Sequence, residues 1–362
     1  MAYDISELLA NKVHVLINPK SGGEPGRVAR EVKERLGSDD VIYYTSQRKG
    51  DIKRFATEIA KQANQKKSSH LMFVIGGDGT INEAINADAS LENIIYGVSS
   101  GTMGELAAFL GTRSPPRLCN LTNGFIDGEC DINDYATKMD LLRVRYDITR
   151  NAEGRIADYK EIKAANIFST GFESDVSQKV NASFKRGGLQ KIFDFAVAGA
   201  SVLKDYQPIS LSYGINGSSE LNLQSGKLLT FAVVNGRYAA GGLNIDPYAR
   251  LDDGLATALM IKAMPILQIA GGIIELKLPQ SIPSSEFPEN GDEADALYKS
   301  RKRYNLEYLP AIRSIALKHN KVESAREYYF EVDGEHHRIE KPESEMIIDV
   351  LPGATNILMI KD

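Results

Sequence analysis

Residues 71–80 read LMFVIGGDGT, an unbroken apolar run that ends in two glycines, an aspartate, a third glycine and a threonine, with the helical-looking INEAINAD behind it. A strand that is apolar at every position is buried on both faces, the state of a parallel strand covered by helices on each side. Glycines just past its carboxyl end let the backbone approach a bulky anion closely. The helix that follows aims its first N–H groups and positive dipole end at the same spot, where phosphate binds in such sheets. Asp78 stands inside that turn. A carboxylate repels bare phosphate, so its placement makes sense if it faces a magnesium ion or a hydroxyl proton. Gly76, Gly77 and Gly79 could serve a tight turn alone, but strand, turn and helix fall in the order that phosphate binding requires. Asn82 and Glu83, in the first turns of that helix, are explained by capping and solvation.

The first 110 residues repeat this alternation: KVHVLI, VIYY, LMFVI and NIIYGV are short β-type runs, and helical periods such as Ile52, Phe55 and Ile59 lie between them. Strand and helix in alternation make a parallel sheet with helices on both faces, whose ligands bind beyond the carboxyl ends of the strands. The turns NPKSGG, GGDGT and SSGTMG each follow one of these strands, so three glycine-bearing turns converge on one crevice. From about residue 138 the texture changes to paired β-rich runs, with the NG signal of a tight hairpin in ISLSYGINGSSELNLQ. An antiparallel β domain is expected there. A helical stretch is expected from about 175 to 204, a surface loop over the Pro-, Ser- and acid-rich residues 279–296, and two strands around a Pro-Gly turn in the closing MIIDVLPGATNILMI.

At 362 residues the chain has room for two domains with cores of their own and no need of disulfides. Cys119 and Cys130 lack metal or redox spacing, as expected of bystanders in a reducing cytosol. The opening residues carry no secretory pattern, and the longest greasy stretch, AMPILQIAGGIIEL, is too short to span a bilayer, so a soluble, cytoplasmic protein is expected. A net charge of −5 argues against a dedicated nucleic-acid binder, which needs clustered cations. FKRGGLQKIF (184–193) and YKSRKRYNLEY (298–308) mix cations with aromatic and aliphatic residues in a way that suits an anionic membrane surface, although solvated helix charge is the simpler explanation of either.

The second half carries acids in turns. Asp252 and Asp253 lie between two β runs, and Asp333 and Glu335 flank a glycine directly after another, where such pairs are usually turn formers. Taken together, NPKSGG (18–23), GGDGTINEAINA (76–87), SSGTMGELAAFLG (99–111), NGRYAAGGLNIDPYARLDDGL (235–255) and VDGE (332–335) resemble, in order and rough spacing, the diacylglycerol kinase catalytic family. That family includes bacterial diacylglycerol and YegS-type lipid kinases and the sphingosine and ceramide kinases. The resemblance covers nearly the whole chain apart from residues 279–296.

The resemblance implies an N-terminal Rossmann-like α/β domain of the NAD kinase and diacylglycerol kinase type at 1–138, a C-terminal β-sandwich domain at 139–344, and a return of about 345–362 to the first domain. It implies ATP and magnesium as cofactors, with nucleotide contacts at Asn18, Ser21, Gly22, Thr45, Gly76, Gly77, Gly79, Thr80, Gly101 and Thr102. Asp333, with Glu335 beside it, is the implied general base and Asp78 the magnesium ligand, whereas the sphingosine kinase branch gives the base role to the aspartate at Asp78. Asp253, with the carbonyls of Arg250 and Leu255, matches a structural magnesium site, and Asp140 matches an acid near the catalytic ion. One departure stands out. The family's third motif is Gly-Thr-x-Asn-Asp, but this chain has Gly101, Thr102, Met103, Gly104 and Glu105, so the acid toward the ion moves out by one methylene and the amide is gone.

The implied activity is transfer of the γ-phosphoryl group of ATP to a hydroxyl of a diacylglycerol, sphingoid or related lipid, at the membrane surface from the cytosol, with a homodimer as the assembly to test. Two rivals are a soluble-substrate kinase of the NAD kinase type and a catalytically silent nucleotide or lipid binder. The LDDG and DGE blocks speak against the first, and Gly104 with Glu105 motivates the second.

Overall fold

The computed structural model describes residues 13–20, 30–34, 41–99, 105–112, 115–127, 129–172, 208–217, 223–224, 227–239, 243–264, 292–302, 305–320 and 327–360. They fall into two compact units, one holding the described residues up to Asp140 and from Pro352 onward, the other those between.

The first unit is built on four parallel strands, β1 (Val13–Ile17), β2 (Val41–Thr45), β3 (His70–Ile75) and β4 (Ile94–Ser99), in the order β2-β1-β3-β4. Every residue of β1, β3 and β4 is buried, as an apolar run between two helical layers demands. Helix α1 (Asp51–Lys66) buries Ile52, Ala56, Ile59, Ala60 and Ala63, one stripe at the helical period, and leaves Arg54, Glu58, Lys61 and Lys66 to solvent. Helix α2 (Asp78–Ile85) follows β3, α3 (Glu105–Phe109) follows β4, and α4 (Pro115–Ile126) adds Leu118 and Phe125 to a core with Val15, Phe73 and Ile95.

In the second unit β5 (Ala136–Arg150), which starts in the first, pairs antiparallel with β6 (Ile156–Ala164). One antiparallel sheet joins β7 (Ile167–Gly171), β10 (Leu228–Val234), β13 (Ala256–Lys262), β14 (Leu306–Ile312), β16 (Tyr328–Val332) and β17 (Glu335–Ile339), in the order β14-β13-β10-β7-β16-β17. β8 (Leu211–Ile215) pairs with β9 (Leu223–Gln224) and with β15 (Ser314–His319), and β11 (Tyr238–Ala239) with β12 (Leu243–Asn244). Phe168, Phe231, Phe330, Leu317 and Ile348 pack in its main core.

Three sequence expectations change. The chain's close is one strand, β18 (Met346–Leu358), not two around a turn. Its Gly353 takes φ +56, and the buried Asp140 carboxylate accepts the Gly353 N–H at 2.7 Å, so the Pro-Gly pair makes a local irregularity that the strand runs through. The first half of β18 pairs antiparallel with β15, and its second half pairs parallel with β4 through Asn356 and Ile357. The acid-rich end of the expected 279–296 loop is helical, as α5 (Asp292–Arg301). Within YKSRKRYNLEY, Arg301 is fully enclosed rather than a surface cation: its guanidinium donates to the carbonyls of Ile245 at 2.6 Å and Asn244 at 3.0 Å. The helix expected at 175–204 and the FKRGGLQKIF patch lie outside the described residues, as do Ser21, Gly22, Gly101, Thr102 and Gly104.

Candidate functional site

Asn18 is the first residue past β1, and its backbone N–H donates to Ile75 O at 3.0 Å, which ties it to the end of β3. Its side-chain N–H donates to Thr80 Oγ1 at 3.0 Å, and its carbonyl oxygen accepts the Lys20 N–H at 3.0 Å and the Ser46 hydroxyl at 3.5 Å. An amide side chain offers donors on its nitrogen and an acceptor on its oxygen at once. One residue thereby joins the turns that follow β1, β2 and β3, which brings NPKSGG and GGDGT together, while most of the third glycine block, SSGTMG, lies outside the described residues.

Gly76 and Gly77 differ within the same turn. A Cβ on Gly76 would fall 2.4 Å from Thr80 Oγ1, so that glycine makes room for the threonine that Asn18 holds. A Cβ on Gly77 would meet nothing within 4 Å. The open space lies at the N-terminus of α2, which no side chain caps. Thr45 is exposed at the end of β2. Behind it the Asp51 carboxylate accepts the N–H groups of Gln47 and Arg48 at 2.9 and 3.1 Å, which holds its carboxyl below the usual carboxylate range and fixes the loop. Lys20 Nζ donates to Gln47 O at 3.0 Å, a cation on the rim of these turns that sequence reasoning passed over although it stands in NPKSGG. Glu83, read as a capping or solvated residue, accepts the N–H of Gly50 at the start of α1.

Asp78 is half-buried, and its carboxylate accepts the N–H of Glu105 at 3.2 Å and reaches that of Leu106 at 3.5 Å. It therefore serves the first turn of α3 and brings Glu105 to its side. Magnesium is usually held by one or two carboxylates plus substrate phosphates, and this donor set fits that pattern. Among the described residues no three His, Cys, Asp or Glu side chains gather as a metal cluster. Asp140 is buried and engaged by Gly353, as above.

The acids of the second unit are held differently. Asp333 and Gly334 form the two-residue turn between β16 and β17 with φ +48 and +84, the mirror-image turn that Asp-Gly favours. Asp333 is 3% exposed, and its carboxylate accepts three successive backbone N–H groups, Ala165 at 2.7 Å, Asn166 at 3.0 Å and Ile167 at 2.9 Å. Glu335, half-buried, opens β17 directly after this turn. Asp253 accepts the Leu255 N–H at 2.9 Å within its own turn, and Arg250 turns its side chain to Asp252 at 3.1 Å. Sequence reasoning missed Asn166 and Asn235, two buried amides that bind into the Asp333 region; a lone Asn in AANIF carries no motif that would have marked it.

Residues 12–130 match the diacylglycerol kinase catalytic domain, and residues 166–277 match the YegS C-terminal NAD kinase beta sandwich-like domain. A diacylglycerol kinase of Staphylococcus carnosus is 24% identical over 269 residues, covering 72% of this chain and 76% of that protein. A "Probable lipid kinase YegS-like" of Xanthomonas campestris is 29% identical over 224 residues, 59% of this chain and 62% of its own length, so the match spans less than two thirds of that relative. The fold matches a solved diacylglycerol kinase structure from Bacillus anthracis with TM-score 0.58 at 15% identity, over 97% of both chains.

Proposed function

This chain belongs to the diacylglycerol kinase catalytic family, and from that premise we propose that it is an ATP- and magnesium-dependent lipid kinase acting on a hydroxyl of a diacylglycerol, sphingoid or related lipid. The observation that carries the reading is Asn18, which ties three strand-end turns together beside the uncapped start of α2 and the open space at Gly77. Backbone N–H groups at such a helix start favour the β- and γ-phosphates. Asp78 and Glu105 would hold magnesium, which supplies charge neutralisation on the phosphates. The acceptor hydroxyl gives its proton to Asp333, the base that the family resemblance implies, its oxygen bonds to the γ-phosphorus, and the bond from that phosphorus to the bridging oxygen breaks, leaving ADP. No helix among the described residues is long and apolar enough to cross a membrane.

The test is transfer of label from γ-labelled ATP to a panel of lipid alcohols, followed by organic extraction. Label in the organic phase for wild type, lost at least about a hundredfold in Asp78→Asn with an unchanged melting temperature, is the expected result. ATP binding with no lipid labelled would overturn it in favour of a silent binder, and labelling of a soluble alcohol alone would overturn the lipid acceptor.

A further inference from the structure

Strand β6 pairs with β5 along one side, and among the described residues no strand lies along its other side. Ala157, Asp158, Tyr159, Lys160 and Glu161 are exposed one after another, whereas a strand with one face on a core alternates. Tyr159, at 43%, is the one large hydrophobic side chain exposed among the described residues. On the β5 side Lys160 lies opposite Tyr146 and Asp158 opposite Thr149, whose Oγ1 donates to Asp158 O at 3.4 Å, and no β5 residue is paired with Tyr159. The Tyr159 N–H donates instead to the carboxylate of its neighbour Asp158 at 2.9 Å. Tyr159 thus turns its main chain to the outer edge, and such an edge is a template for another strand unless its side chains oppose pairing.

We propose that the outer edge of β6 is a homodimer interface, on which β6 of a second copy adds antiparallel about a two-fold axis at Tyr159. Charge selects a second copy as the partner. In an antiparallel pair that turns on Tyr159, Asp158 of each copy lies opposite Lys160 of the other, twice by symmetry, and the two tyrosines meet at the axis. Registers that turn on Asp158 or on Lys160 set like charges against each other and are disfavoured. Edge charges usually repel a copy of the strand, but the signs on either side of Tyr159 match the reversed strand. On pairing, the Tyr159 N–H passes from its neighbour's carboxylate to the Tyr159 carbonyl of the other copy. The Asp158 carboxylate released by this exchange meets Lys160 across a non-hydrogen-bonded pair, where side chains stand closest. Lys160 is ready for it: Asp147 at 3.1 Å and Glu340 at 2.8 Å hold its ammonium at this edge, and an ammonium has a third N–H to give. The Arg145 guanidinium, 5.7 Å from the centre of the Tyr159 ring, supports that ring on the other face. One strand pair is a small interface, so a dissociation constant in the micromolar range is expected.

Sedimentation velocity of the full chain tests this. Wild type is expected to be dimeric at about 100 µM and to dissociate on dilution to about 1 µM. Asp158→Lys, at an exposed position, sets cations against Lys160 at both ends of the pair. It is expected to stay monomeric at the higher concentration and to melt like wild type at the lower one, with Asp158→Asn as the milder variant should the first not fold. Tyr159→Cys puts two thiols across the axis, where the Cα atoms of a hydrogen-bonded pair stand about 5.5 Å apart, within the range of a disulfide. Mild oxidation should then give a covalent dimer that wild type, with its native Cys119 and Cys130, does not form. Glu161→Cys should not form it either, since its two copies would lie about 14 Å apart. A wild type that remains monomeric at about 100 µM overturns the proposal and leaves the edge to solvent or to a strand of another protein. A dimer that survives Asp158→Lys and does not cross-link through Tyr159→Cys overturns it as well, and moves the interface to another surface.

Discussion

A Cβ added at Gly76 would press on all three heavy side-chain atoms of Thr80 at 2.4 to 2.7 Å, whereas at Gly77, whose φ of −79° any residue adopts, it would reach open space. The two glycines therefore separate stability from binding. Gly76→Ala is expected to cost about 1 to 3 kcal/mol through overpacking, read as a lower urea midpoint at unchanged slope. Gly77→Ala should melt like wild type but bind ATP about tenfold more weakly, because the methyl fills the space a phosphate would approach. Equal ATP affinity in Gly77→Ala and wild type, measured by calorimetry, would remove phosphate from that space. The glycines themselves were readable from sequence as a phosphate turn. Which of them answers to packing and which to ligand was not, because that depends on where Thr80 lies, and Asn18 settles it from 62 residues away.

At the scale of elements, β1 and β3 bring His14 and His70 together in the buried sheet, each 1% exposed, with rings stacked 5.3 Å apart and His14 Nε2 3.1 Å from His70 Nδ1. Burial, and then the charges of His70 and Lys66, push His14 down to about 4, and burial pushes His70 down as well. A folded value below the unfolded 6.5 means that the unfolded chain binds more protons between these values. Stability from His14 is thus fully present above pH 6.5 and is lost as pH falls toward 4, on the order of 3 kcal/mol in all. Urea midpoints should drop between pH 7 and pH 5 in wild type and drop less in His14→Gln; parallel curves would refute the coupling. A second element, the turn at Asp253, gives another expectation. If the carboxylate that already accepts the Leu255 N–H also closes a cation site, EDTA lowers the wild-type melting temperature and has little further effect on Asp253→Ala. Equal melting with and without EDTA in both proteins would leave the turn as an Asx turn alone. Strand and helix positions in the first unit were legible because each rests on a local period. Helix α5 reaches into residues expected to be loop, and it ends on Arg301, whose enclosed guanidinium is held by the carbonyls of Asn244 and Ile245, residues brought to it by the fold.

On the scale of the whole molecule, the residues from Pro352 onward belong with the first unit although they end the chain. Asn356 Nδ2 donates to the carbonyls of Glu92 and Ile94, and the N–H groups of Met359 and Ile360 donate to Tyr135 O and Leu110 O. Ile357 and Leu358 are 1% and 0% exposed, and burial of two such side chains stabilises by about 4 kcal/mol, a large share of a domain's total. A chain ending at Leu351 should therefore lose cooperative melting of the first unit and with it ATP binding; a calorimetric transition at the wild-type temperature would contradict this. The amino-acid sequence by itself determined the order of parallel strands and glycine turns, the change to antiparallel β structure near residue 138, and the Asp-Gly hairpin at 333, because apolar period and glycine or Asp-Gly chemistry act within a few residues. Only the tertiary structure decided that the Asp333 carboxylate accepts three amides 166 to 168 residues earlier, and that β18 runs unbroken past Gly353 with Asp140 as its anchor. A carboxylate in a turn looks the same in sequence whether it faces solvent, a metal or buried N–H groups, and what it faces is set by packing between segments that no local pattern connects.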